Sequence, residues 1–190
     1  CHGCGGCSKV CEVKAIREAL RVVGYVETGT ALPGSEHGPI SFVQGRLEVK
    51  ELQATQVIRA ARKEMPDRGT TIIDAPPGAA CAMVAATRGT DLVLLVTEPT
   101  PFGLNDLEIA VSTVRELGLP AAVVVNRSDV GDERVKRYCE EEGLEILAEI
   151  PHDRAVAIAY SRGELITEAV PEFGERIRDM IPRIYELVQG

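Results

Sequence analysis

The chain has 190 residues, with 21 lysines and arginines against 29 aspartates and glutamates, a net charge of −8. That length suits one domain with a small attachment, and an apolar content of 45% can support a buried core. The acidic balance argues against a nucleic-acid backbone or an anionic membrane as partner. Aromatic residues at 4% with no tryptophan argue against base-stacking platforms, and apolar runs of strand length only give no transmembrane helix.

Four of the six cysteines fall within the first eleven residues, as Cys1, Cys4, Cys7 and Cys11. The spacing C-x2-C-x2-C-x3-C is the bacterial-type ligand run of an iron–sulfur cluster. A cubane cluster needs thiolates converging from several directions, and Gly3, Gly5 and Gly6 permit the tight turns that wrap a loop around it. The alternatives are disulfides, which would be strained at this crowding, and zinc, which usually takes two separated cysteine pairs. Cys11 is followed by Glu12, where the bacterial run has proline. In two-cluster ferredoxins the fourth cysteine serves the other cluster, so the cluster that Cys11 would ligate stays open. His2 reads as an exposed loop residue. A start on Cys1 with no signal segment reads as a fragment of a longer protein.

After the cysteine loop, residues 13–19 read as a short turn or helix. Residues 20–26 and 46–49 read as strand-like pieces, separated by a glycine- and proline-rich loop over 28–39. From residue 52 the periodicity changes. A helix is expected from Leu52, Val57, Ile58, Ala61 and Met65, closed by residues 66–69. The chain then alternates: strand 70–74, helix 79–87, strand 92–96, and a helix bearing Leu107, Ala110, Val111, Val114 and Leu117. Strand 121–125, a helix with Val135, Tyr138 and Cys139, strand 144–150 and a last amphipathic helix from Phe173 to Leu187 follow. The strands are continuous apolar runs, which require cover on both faces. The expected architecture is α/β, a mostly parallel sheet with helices on both faces.

In open parallel sheets ligands bind beyond the carboxyl ends of the strands, so polar residues there are candidates. Asp74 ends the run TTIID, where a carboxylate can hold Mg²⁺ directly or through water, and Gly78 offers a backbone N–H that can approach a phosphate closely. Pro76 and Pro77 stiffen the link between them. The plainer reading of Asp74 is a helix cap. Asn126 ends the third apolar run, and its amide both donates and accepts, as reading a purine edge requires. Pro151 and Asp153 follow the last strand. Ordinary turn chemistry is the plainer reading of both these strand ends.

Taken in order, IIDAPPG, DLVLLVTEPTPFGLNDL, VVVNRSD and IPHD resemble the MinD/ParA-type P-loop ATPases, and more narrowly the subgroup with an inserted ferredoxin domain. The resemblance implies a P-loop NTPase fold, with residues 1–19 as the second half of a 4Fe-4S ferredoxin-type insert and residues 20–190 as the C-terminal part of the ATPase domain. It implies that Asp74 organises Mg²⁺ and the attacking water and that Gly78 contacts the γ-phosphate. It further implies that Asn126 binds adenine, that Pro151 and Asp153 shape the base pocket, and that Cys1, Cys4, Cys7 and Cys11 ligate iron. ATP, Mg²⁺ and a 4Fe-4S cluster are the implied cofactors. A redox partner protein and a homodimer are possible partners by the same resemblance.

The 190 residues contain no G-x-x-x-x-G-K-[ST] or Lys-Gly-Gly phosphate loop, which that family carries after its first strand. Without it the phosphates lack most of their electrostatic cradle, so this stretch is not expected to hydrolyse ATP appreciably. Two other readings compete with an ATP-linked iron–sulfur protein. One is a non-catalytic electron-transfer or scaffold protein. The other is a GTPase, since Asn126-Arg127-Ser128-Asp129 resembles the guanine signature N-K-x-D with arginine for lysine. Cys139 reads as core. Cys81 reads as a small buried residue, with a redox role as the alternative. Residues 140–142 read as a solvated helix end and 160–163 as a glycine-capped one. Free thiols and an exposed cluster suit a cytoplasmic setting.

Overall fold

In the computed structural model residues 4–31 and 38–189 are described, and contacts divide the chain into two units, Cys1–Pro76 and Pro77–Gly190. The readings made for Cys1, His2 and Gly3, and the centre of the loop expected over 28–39, lie outside the described residues.

The first unit begins with a short helix, α1 (Gly6–Val10), inside the cysteine run. Gly5 precedes it at φ 72, a left-handed turn that glycine adopts without a Cβ clash. The helix or turn expected over 13–19 is only a turn at 12–13, and residues 14–23 have no regular structure. Strands β1 (Gly24–Ala31) and β2 (Ile40–Leu47) then pair antiparallel, from Gly24 opposite Leu47 to Ala31 opposite Ile40. These strands reach further into the expected loop than the sequence suggests. Cross-strand pairing recruits Thr28, Gly29 and Thr30, whose glycine reads locally as a breaker. Helix α2 (Ala54–Arg62) packs on the hairpin. Its buried residue, Val57, is seated over two glycines. A Cβ on Gly24 would lie 2.6 Å from Val57 Cγ2, and one on Gly45 2.9 Å from Val57 Cγ1. Larger residues at these positions would push the helix off the sheet.

Residues 70–74 do not form the expected strand. Ile72 is 92% exposed, and neither sheet among the described residues includes this run. Apolar, β-branched sequence makes a strand only where a neighbour offers backbone partners.

The second unit runs α3 (Cys81–Thr87), β3 (Val93–Thr97), α4 (Pro101–Glu116), β4 (Ala121–Asn126), α5 (Arg134–Glu141), β5 (Glu145–Ile150), α6 (Arg154–Ser161), α7 (Ile166–Ala169) and α8 (Pro171–Gln189). The three strands form a parallel sheet in the order β3-β4-β5, as the continuous apolar runs require. Residues 122–125 of the central strand are each 3% exposed or less, so both of its faces are covered. Val123 and Val125 meet Leu107 and Val111 of α4 and Val135 and Cys139 of α5 in one core cluster. Alternation sends Ala122 and Val124 to the opposite face. Glu145 pairs with Ala122 across the ladder and bonds Arg183, which brings α8 to that face. The cover thins over β3, where Val96 is 66% exposed.

Cys139 is 1% exposed, as expected of a core residue, and burial pushes its thiol pKa up. Cys81 is exposed, not buried: it opens α3, and the apolar side chains that α3 buries are Met83 and Ala86. Gly163, at φ 70, follows α6 as the expected glycine cap. Among the described residues no helix is long and apolar enough to cross a membrane.

Arg183 forks onto Glu145, with its Nε 2.7 Å from Oε1 and its Nη2 2.8 Å from Oε2. This bond holds the Glu145 carboxyl below its ordinary value of 4.5. A carboxyl depressed on folding stabilises the fold above its unfolded value, and that contribution is lost as pH falls through the folded value. The docking of α8 on β5 is therefore expected to hold above pH 5 and to loosen as the pH drops below 4.5, more steeply in low salt than in high. Amide exchange of α8 followed against pH checks this, and an α8 indifferent to acid contradicts it.

Candidate functional site

Three loops leave the carboxyl ends of the parallel strands, and each is built by local chemistry. After β3, the Thr97 hydroxyl donates to the Gly103 carbonyl at 2.9 Å. Thr100 caps α4, its hydroxyl accepting from Gly103 N at 3.0 Å, and Pro101 opens the helix where no N–H is needed. Gly103 has no alternative, because a Cβ there would collide with the Glu98 carbonyl.

The loop after β4 is the centre of the arrangement. Arg127 is left-handed at φ 51, so the chain turns sharply past Asn126. Ser128 N then donates to the Ile150 carbonyl at 3.0 Å, and His152 N donates to Asp129 Oδ1 at 2.6 Å. The first bond reaches the end of β5 and the second the loop after it. On the other side Asp132 N donates to the Pro99 carbonyl at 3.2 Å, and the Arg127 guanidinium lies 3.6 Å from the Glu98 carboxylate. Gly131, at φ 109, lies so close to Pro99 that a Cβ would overlap its carbonyl oxygen. One loop is thus stitched to both neighbours. The His152 N–H holds the Asp129 carboxyl below the usual carboxylate range, and the Arg134 guanidinium does the same for Asp132.

A cavity of 360 Å³ opens between the first two loops, lined by Val96, Glu98, Phe102, Asp106 and Asn126 among others. A second, of 40 Å³, lies below the third loop and is lined by Pro151, Asp153, Phe173 and Arg176 among others. Asn126 therefore faces one cavity while Pro151 and Asp153 face the other. The two are adjacent through the ladder pair Asn126 and Ile150. Asp153 also caps α6, accepting from Ala155 N at 2.7 Å. Gly78 is exposed at φ 86, a backbone conformation that glycine takes freely. Asp74 belongs to the first unit, where it is exposed.

Sequence reasoning missed Asp129 as a tie between loops, reading it only as a candidate guanine contact. It also missed Thr100, although Thr-Pro before an apolar periodic run is a helix-start signal. The contacts of Gly131 and Asp132 with Pro99 have no local signature, since they join residues more than thirty positions apart.

In the cysteine run, Cys4, Cys7 and Cys11 are unbridged, the first two exposed and the third half-buried. The Ala15 N–H already points at Cys11 Sγ, at 3.3 Å. Backbone donors of this kind offset the charge on cluster thiolates, so the donor set fits an iron–sulfur group. Among the described residues no three His, Cys, Asp or Glu side chains converge on one point, and Cys1 lies outside them.

Fold and site together define an α/β protein whose parallel sheet presents stitched loops at its carboxyl edge, preceded by a cysteine loop. No family model matches the chain. It is 28% identical over 125 residues to the uncharacterized protein MJ0579 of Methanocaldococcus jannaschii, covering 65% of this chain and 43% of that protein. It is 26% identical over 210 residues to the uncharacterized protein MJ0578 of the same organism, covering 99% of this chain and 73% of that protein. It is 29% identical over 116 residues to the iron-sulfur cluster carrier protein of Aquifex aeolicus, covering 53% of this chain and 32% of that protein. The chain thus spans less than half the length of two of these three relatives.

Substituting Gly131→Ala adds a Cβ both at a left-handed φ and against the Pro99 carbonyl, so it is expected to cost about 2 kcal/mol or more. Denaturant unfolding of the variant measures this, and an unchanged midpoint would contradict the stitched arrangement.

Proposed function

We propose that this chain is part of an ATP-linked iron–sulfur protein of the MinD/ParA type, with residues 1–19 belonging to a ferredoxin-like element and the remainder to the nucleotide-binding domain. The observation that carries the reading is the four-cysteine run, Cys1, Cys4, Cys7 and Cys11, at iron–sulfur spacing. Similarity to a protein named for carrying iron–sulfur clusters supports it, as do three free thiols, two of them exposed. The cluster would supply one-electron chemistry or a transferable iron–sulfur unit.

In this reading Asn126 reads the adenine edge from the end of β4, and Pro151 with Asp153 shape the adjoining wall. Asp74 would hold Mg²⁺ and orient water, and Gly78 would approach the γ-phosphate. The nucleotide would act through the loops it touches, biasing the protein toward or away from a redox partner or a second subunit. A cytoplasmic setting suits the free thiols. These 190 residues contain no phosphate loop, so their part is base recognition and cluster binding, not turnover on their own. The guanine reading has less support, because Asp129 Oδ1 is already engaged by His152 N.

Anaerobic reconstitution with ferrous iron and sulfide tests the reading. The expected product carries about four irons and four sulfides per cluster. Cys4→Ser and Cys7→Ser are each expected to lower the iron content sharply. Zinc retained in place of iron, or iron uptake indifferent to both substitutions, would contradict it.

A further inference from the structure

An aspartate reads guanine by offering two free, parallel carboxylate oxygens, one to the ring N–H and one to the exocyclic amino group. At Asp129 one oxygen of that pair is already engaged. Its Oδ1 accepts the His152 N–H at 2.6 Å, a short, charge-assisted bond. The left-handed turn at Arg127 sends the chain from β4 toward β5, where Ser128 N reaches the Ile150 carbonyl at 3.0 Å. The two bonds bracket Pro151, so they fix the loop after β5 relative to the end of β4. What remains free to face the 360 Å³ cavity is Asn126, whose amide donates and accepts side by side. That pattern complements the amino group and ring nitrogen on one edge of adenine. Guanine presents two acceptors there, of which an asparagine amide can serve only one.

We propose that Asp129 is a positioning residue, whose carboxylate ties the loop after β4 to the loop after β5 and so presents Asn126 in a site for adenine, not guanine. The specificity half rests on the nucleotide-binding reading above, and the tie itself does not.

The test compares the full 190-residue chain with its Asp129→Ala and Asp129→Asn variants. The first readout is hydrogen exchange at the His152 amide, with the β4 amides as the control for folding. Asp129→Ala is expected to speed exchange at His152 by about tenfold or more, since a charged acceptor is lost. Asp129→Asn, which keeps an acceptor oxygen, is expected to stay within about threefold of the parent. The second readout is titration with ATP, GTP and xanthosine triphosphate, followed by amide shifts. The parent and Asp129→Asn are both expected to favour ATP, and Asp129→Ala to bind ATP roughly tenfold more weakly. An unchanged His152 exchange rate in Asp129→Ala overturns the tie. A parent that prefers GTP, with Asp129→Asn shifting to xanthosine triphosphate, shows that Asp129 reads guanine and overturns the proposal. If the parent binds none of the three, the nucleotide reading and the specificity half fall together, and the exchange comparison alone decides the tie.

Discussion

Burial of β4 on both faces is the constraint on which the second unit depends. Four residues, Ala122, Val123, Val124 and Val125, are shut away from water; α4 and α5 pack on one face of that strand, and α8 docks on its neighbour β5. Burial this complete leaves no room for a polar side chain within the run, so the first one that needs solvent, Asn126, emerges at its end. The strand therefore does two things at once. It fills the centre of the core, and it delivers an amide to the carboxyl edge of the sheet at the end of a fully buried run.

The loops at that edge are tied together because they bond to one another. The segment after β4 reaches Pro99 in one direction and Ile150 and His152 in the other, while Gly103 and Gly131 allow backbone approaches that no larger residue permits. The cysteine loop is built on the opposite principle. Its thiols are free and mostly exposed, and α1 with the Ala15 N–H supplies the beginnings of a thiolate environment that a cluster would complete.

The sheet of the second unit was legible because its strands are apolar without interruption, and only a parallel sheet covered on both faces buries such runs. The place of Asn126 at a strand end was legible for the same reason, as the first polar residue after one of them. Residues 70–74 have equally strand-like sequence and form none, because strand formation needs a partner and composition does not report one. The hairpin Gly24–Leu47 was underestimated for the converse reason: Gly29 and its neighbours look like loop residues, and pairing with Phe42 and Val43 makes them strand. Cys81 was misplaced because small neighbours suggested a buried turn, whereas Met83 supplies that part of the core. The Asp129 tie was invisible, since it joins residues 23 apart through a main-chain N–H.

The proposed place for a nucleotide base is the stitched carboxyl edge of β3, β4 and β5. Titrating the isotopically labelled chain with ATP and following its amide resonances tests this most directly, and it tolerates weak binding. Base binding there gives saturable shifts confined to Asn126, Ser128, His152 and the 98–103 loop. Shifts that never saturate, or that cluster away from these loops, would contradict it.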